Sequence, residues 1–171
     1  IKEEVKYKPY LCKEDGYMEQ SADMYWQVLC QITRTIAQKR PDLMQNLLAM
    51  SVDTFRDTAV LLDENNQVLR NCILWSDQRV ADTSQKLPLK QRVLFKLVGM
   101  DRPIDAIRQK VKTRWVQQNE PQLWEKVKKV AHISAYLNYK LTGNLVDSYA
   151  STIGHFPFDR KGKKWLTEKS L

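Results

Sequence analysis

Ala49-Met50-Ser51-Val52-Asp53-Thr54-Phe55-Arg56-Asp57-Thr58-Ala59-Val60-Leu61-Leu62 is the run on which the fold turns. Two apolar stretches flank a polar corner. Residues 47–52 read as one buried strand and residues 59–62 as a second. Asp63-Glu64-Asn65-Asn66 follows, rich in residue types that tolerate left-handed backbone, and residues 68–75 read as a third strand that closes a hairpin. At the corner, Arg56 and Asp57 put a cation and an anion side by side at a strand end.

Upstream of this run, residues 7–11 alternate weakly and read as a strand, followed by the polar loop Cys12-Lys13-Glu14-Asp15-Gly16. A helix is expected over residues 21–39, where Trp26, Leu29, Ile32, Thr33 and Ile36 recur at helical spacing. Ser21 is its expected N-cap, Asp23 lies in its first turn and Pro41 stops it. Downstream of Arg79 the pattern becomes helical over residues 80–86, 91–97 and 106–117. Another helix starts at Pro121 with the stripe Leu123, Trp124, Val127 and Val130, and a last one covers residues 132–141 before Gly143 ends it. Residues 144–171 are mixed. Strand, helix, strands and then helices give an α/β or α+β chain.

The 171 residues are enough for one domain with a core, and a hydrophobic content of 43% excludes a disordered chain. The longest apolar runs, such as residues 59–62, are too short to cross a bilayer. Ile1-Lys2-Glu3-Glu4-Val5-Lys6 is charged throughout and does not read as a secretory signal; without an initiator Met, Ile1 is not expected to be the native start. Cys12, Cys30 and Cys72 are odd in number and widely spaced, which supports neither a disulfide framework nor a zinc site and fits a reducing cytoplasm. The net charge of +8 is spread over several helical stretches with no aromatic interleaving, so it reads as solvated helix faces rather than a nucleic-acid footprint. His132 and His155 have no metal-spaced partners, and no glycine-rich phosphate loop, His-Glu-x-x-His or Gly-x-Ser-x-Gly occurs.

Three segments in order resemble the FGGY carbohydrate kinases. The first is Gly16-Tyr17-Met18-Glu19-Gln20 leading to Asp23-Met24-Tyr25-Trp26. The second joins residues 49–58 to Val60-Leu61-Leu62-Asp63 and Ile73-Leu74-Trp75-Ser76-Asp77-Gln78-Arg79, similar to the family's strand, substrate segment, hairpin and Trp-x-Asp-x-Arg run. The third is Trp115-Val116-Gln117-Gln118-Asn119-Glu120-Pro121, with Tyr136-Leu137-Asn138-Tyr139-Lys140-Leu141-Thr142-Gly143 and Asp147-Ser148-Tyr149-Ala150-Ser151. The resemblance covers roughly residues 7–165. It implies an α/β, ribonuclease H-like (actin-like ATPase) domain, here incomplete and with helical insertions. Residues 1–171 would form part of the N-terminal kinase domain, without the first phosphate-loop hairpin and the C-terminal ATP domain.

The resemblance also assigns roles. Arg56 and Asp57 would bind substrate, because a guanidinium fork donates to vicinal hydroxyls and a carboxylate accepts from them; otherwise they form a local ion pair or turn. Trp75 would lay its face against the C–H side of a sugar, the other reading being a core Trp that ends a strand. Asp77 and Arg79 would support the site or pair with each other at a helix start. No catalytic side chain is expected here, since the family's catalytic Asp lies outside the chain, and no metal ligand is expected either. Trp26, Trp115, Trp124 and Trp165 read as packing residues, and Glu19 and Gln20 as caps of the first helix.

The implied function is the sugar-binding part of an ATP-dependent kinase that phosphorylates a sugar or polyol hydroxyl, inactive as this fragment. In the intact enzyme a base Asp would take the hydroxyl proton, with ATP and Mg²⁺ bound mainly by absent parts. The expected partners are the sugar or polyol and the chain's own C-terminal domain, with a homodimer left open and neither nucleic acid nor membrane. The alternative is a non-catalytic basic helical module that binds nucleic acid or a protein. Glycerol-specific members of the family often carry Gln-Arg-Glu-Thr, and xylulose-specific ones Gln-Met-His-Gly, where this chain has Phe55-Arg56-Asp57-Thr58; both departures count against those substrates.

Overall fold

The computed structural model describes residues 1–7, 9–84, 87–97, 99, 101–152, 158–159 and 161–165; His155 and the side chain of Trp165 lie outside the described residues. The chain divides into two compact units, Ile1–Asp77 with Lys128–Asp147, and Gln78–Val127 with Ser148–Leu171.

The first unit is built on a short antiparallel ladder against two helices. Strand β1, Glu19–Gln20, leads into helix α1, Ala22–Lys39. Ser21 occupies the N-cap position, but its side chain makes no capping bond; the Gln20 side-chain oxygen accepts from the Ser21 N–H at 3.0 Å instead. Pro41 does more than end this helix. It opens a second one, α2, Pro41–Gln45, at a first-turn position where its missing N–H costs nothing.

Strand β2, Ala59–Leu62, is where the sequence places it. Its register partner is a strand the helical reading missed: β4, Lys129–His132, runs antiparallel with Ala59 opposite His132 and Leu62 opposite Lys129. The helix expected from Pro121 stops after one turn as α6, Pro121–Trp124. The Lys128 N–H donates to Leu62 O at 2.9 Å, so this backbone is satisfied by the ladder rather than by a continued helix.

The strand expected over residues 47–52 does not form. Leu47 is 56% exposed, Leu48 99% and Met50 48%, and no described residue pairs with them in a ladder. An apolar run becomes a strand only when a neighbour takes up its N–H and C=O groups. The third strand also contracts. After a turn in which Asp63 Oδ1 accepts from the Asn65 and Gln67 N–H groups, both at 2.8 Å, only Val68 bridges back to Leu62. The chain then pairs β3, Cys72–Ile73, with β1. Of the described residues in 7–11, Leu11 alone joins a ladder, bridging to Glu19.

Helix α7, Ile133–Thr142, follows β4 directly and ends where Gly143 adopts φ 78°, its N–H donating to Tyr139 O at 2.8 Å. Its face carrying Ile133, Tyr136 and Leu137 joins Ala22, Val60, Leu62 and Cys72 in the core. Three of the four β2 residues are buried, which is why this strand is apolar without alternation.

The second unit is mostly helical: α3, Leu89–Leu97; α4, Asp101–Lys110; α5, Lys112–Asn119; and α6. The single helix expected over residues 106–117 is two, separated at Val111, whose ψ of 102° leaves the helical region. Residues 80–84 are not helical, and residues 85–86 lie outside the described set. The Asp82 backbone is bracketed by the Gln118 side chain, which accepts from its N–H at 2.8 Å and donates to its carbonyl at 2.9 Å. A 3₁₀ turn, Tyr149–Thr152, and a hairpin of β5, Phe158–Asp159, and β6, Lys164–Trp165, complete this unit. No described helix is long and apolar enough to cross a membrane.

Candidate functional site

The polar corner before β2 is held down by one aromatic anchor. Phe55 is half-buried and meets Tyr25 of α1 edge-on at 5.4 Å, and Tyr25 in turn meets Tyr7 at 5.8 Å. With Phe55 turned inward, the next residue, Arg56, is exposed. Asp57 then takes φ 60°, in the left-handed region that Asp and Asn tolerate better than other non-glycine residues. This bend turns the chain into β2.

Thr58 is fully buried, and its Oγ1 accepts from the Trp75 N–H at 3.2 Å. That bond stitches the Asp57 corner to the segment after β3. The Asp77 N–H donates to Leu74 O at 3.1 Å, closing a turn with Trp75 and Ser76 at its tip. Trp75 is 63% exposed, so it is not a core residue, and its backbone N–H is tied to Thr58, the residue after Asp57.

Asp77 itself is buried, with Oδ2 accepting from the Met18 N–H at 2.7 Å. It ties the loop before β1 to the turn that presents Trp75. Arg79 belongs to the second unit. It is buried with its guanidinium 4.7 Å from the centre of the Trp115 ring, and its carbonyl accepts from Lys112 Nζ at 2.6 Å. Of the five residues singled out in the sequence, Arg56, Asp57, Trp75 and Asp77 thus share the first unit, and Arg79 organises helix α5 of the second.

Two residues near the corner carry no motif. Thr58 acts through a bond across 17 positions of sequence, which no local pattern reveals. His132 lies opposite Ala59 in the ladder and is buried. Burial lowers its pKa from the ordinary value, against the pull of Asp147 and Asp57, so the field of Asp57 reaches it. Glu19 of β1 and Arg70 form a buried ion pair rather than a helix cap. Burial pushes the Cys72 thiol up to about 12, which keeps it protonated and unsuited to nucleophilic chemistry.

Exposed Arg56, its neighbour Asp57 and exposed Trp75 thus lie on two backbone segments that the Thr58 bond joins. Such a surface suits a ligand with several hydroxyls and an apolar C–H face. Among the described residues, no three His, Cys, Asp or Glu side chains converge as a metal-ligand set. No glycine-rich phosphate loop occurs in the sequence.

The comparisons with known proteins agree on one family. The family model "FGGY family of carbohydrate kinases, N-terminal domain" matches residues 2–167. A xylulose kinase from Lactococcus lactis is 31% identical over 163 residues, which cover 91% of this chain and 31% of the relative. A gluconokinase from Bacillus licheniformis is 28% identical over 157 residues, covering 90% of this chain and 30% of the relative. The crystal structure of ligand-bound xylulose kinase from Lactobacillus acidophilus superposes with a TM-score of 0.67 at 18% identity, over 95% of this chain and 33% of that one. The chain spans about a third of the length of the relatives it matches. Its fold is that of these sugar kinases, and by its sequence the chain belongs to the FGGY family of carbohydrate kinases, matching their N-terminal domain.

Proposed function

We propose that this chain is the sugar-binding N-terminal part of an ATP-dependent carbohydrate kinase, with Arg56, Asp57 and Trp75 forming the wall that holds a sugar or polyol. The observation that carries this reading is the position of Trp75. It is exposed at the tip of a turn, and its backbone is pinned to Thr58, next to Asp57. In this arrangement Asp57 accepts from one or two hydroxyls, Arg56 donates to a neighbouring one, and the indole covers the C–H face. Asp77 sets the turn that carries Trp75, while Arg79 packs on Trp115 within the second unit. ATP and Mg²⁺ belong, on this reading, to parts of the intact enzyme outside these residues. Named substrates among the relatives include xylulose and gluconate, so membership does not select one sugar.

Two assays test this. The 171-residue chain, incubated with ATP, Mg²⁺ and a panel of sugars and polyols, is expected to release no ADP above a protein-free control. The complete kinase is expected to phosphorylate at least one member of the panel. In the complete kinase, Trp75→Ala should raise the KM for that sugar about tenfold while leaving the KM for ATP unchanged, the loss of one aromatic contact being worth up to roughly 1.5 kcal/mol. A sugar KM unaffected by the substitution contradicts the assignment of Trp75.

A further inference from the structure

A cavity of about 560 Å³ opens at the end of β2 away from Asp57, bounded by α1, α7 and the turn after Leu62. It lies wholly within the first unit. Asp23 and Trp26 stand three residues apart on α1, while Tyr136, Tyr139 and Lys140 stand three and four apart on α7. Each set therefore occupies one helix face. The hairpin turn adds Asn66 and Gln67.

These groups are already positioned. The Tyr136 hydroxyl donates to Asp23 Oδ1 at 2.5 Å, and Lys140 Nζ lies 3.7 Å from the same oxygen. Lys129 Nζ donates to Asn66 Oδ1 at 2.6 Å, which fixes the amide so that its NH₂ is the edge turned away from Lys129. Lys140 Nζ sits 5.6 Å from the centre of the Trp26 ring, at the outer limit of a cation–π contact, so a ligand displaces it from that face at little cost.

Charge and shape narrow the ligand. Among the lining residues one carboxylate and one ammonium cancel, and the neighbouring Lys129 ammonium is already bound to Asn66 Oδ1 and Glu64 O, so the lining itself does not call for a charged molecule. Three aromatic rings beside a carboxylate and two amides match a ring with an apolar C–H face and a rim of hydroxyls. The volume falls within the range of roughly 300–1,000 Å³ usual for small-molecule sites. We propose that this cavity is a second carbohydrate site that takes a neutral pyranose. It is separate from the corner at Asp57 and stands whether or not that corner binds the substrate of a kinase.

The test is an amide chemical-shift titration of the 171-residue chain with glucose, galactose, mannose and xylose, and with glycerol and glucose 6-phosphate for comparison. At least one pyranose should shift the Asn66, Gln67 and Gly143 amides saturably, with a dissociation constant of order millimolar. Glycerol, which lacks a ring face, should not, and the phosphorylated sugar should bind more weakly than glucose. Trp26→Ala should weaken binding about tenfold. Gln67→Ala, on an exposed turn position that the core does not use, should weaken it without disturbing the fold, and Trp75→Ala should leave it intact. The proposal is overturned if no pyranose shifts these amides at up to about 100 mM, if both Trp26→Ala and Gln67→Ala bind as the unaltered chain does, or if Trp75→Ala abolishes the shifts. Shifts confined to Thr58 and Trp75 would support the first site and reject the second.

Discussion

Tyr25 shows how one side chain serves the site at a cost to the fold. Its ring steadies Phe55, yet its hydroxyl is buried without a hydrogen-bond partner among the described residues, and burial raises its pKa well above the ordinary phenol value. Tyr25→Phe keeps the edge-on contact and removes the unsatisfied group. Stability should rise by about 1 kcal/mol, seen as a melting temperature roughly 2–4 °C higher; an unchanged or lower value contradicts this account of the hydroxyl. His132 makes an opposite demand on pH. Its folded pKa lies below the ordinary 6.5, so folding favours the neutral imidazole. The stability tied to it is present above that value and is lost as pH falls through the folded pKa. The melting temperature should therefore drop between about pH 7 and pH 5, and His132→Gln should shrink that drop. An equal drop in both proteins would assign the acid sensitivity elsewhere.

At the scale of elements, the parts legible in the sequence are those decided by near neighbours. Helix α1 was readable because five positions repeat at helical spacing, and the end of α7 because Gly143 supplies a left-handed residue where the helix needs one. Among the described residues, no heavy atom beyond its chain neighbours would lie within 4 Å of a Cβ at Gly143, so Gly143→Ala meets only the backbone penalty of φ 78°. It should cost about 1 kcal/mol, measured by chemical denaturation with an unchanged m-value. The misreadings share a different cause. Residues 47–52 look like a strand and lack a ladder partner among the described residues, whereas Lys129–His132 look like the end of a helix and gain one in β2. Strand formation is settled by pairing between distant segments, which periodicity cannot see. The site divides in the same way. Arg56, Asp57 and Trp75 were legible as residue types beside a strand, but the Thr58 bond that brings Trp75 to Asp57 exists only after folding.

For the whole molecule, the proposed function requires that the corner at Asp57 hold a sugar rather than serve only as a structural ion-pair site. Two readings of one carboxylate make opposite forecasts, and Asp57→Asn separates them, because Asn tolerates the same left-handed backbone while losing the charge. The decisive measurement is made on the complete kinase: kcat/KM for its sugar and the melting temperature without sugar, for Asp57→Asn beside the unaltered enzyme. A hydrogen bond to a charged group is worth roughly 1.5–3 kcal/mol, so kcat/KM for the sugar should fall about 10- to 150-fold, with the KM for ATP and the melting temperature unchanged. A lowered melting temperature with unaltered sugar kinetics would contradict the account and make Asp57 a residue of the fold alone.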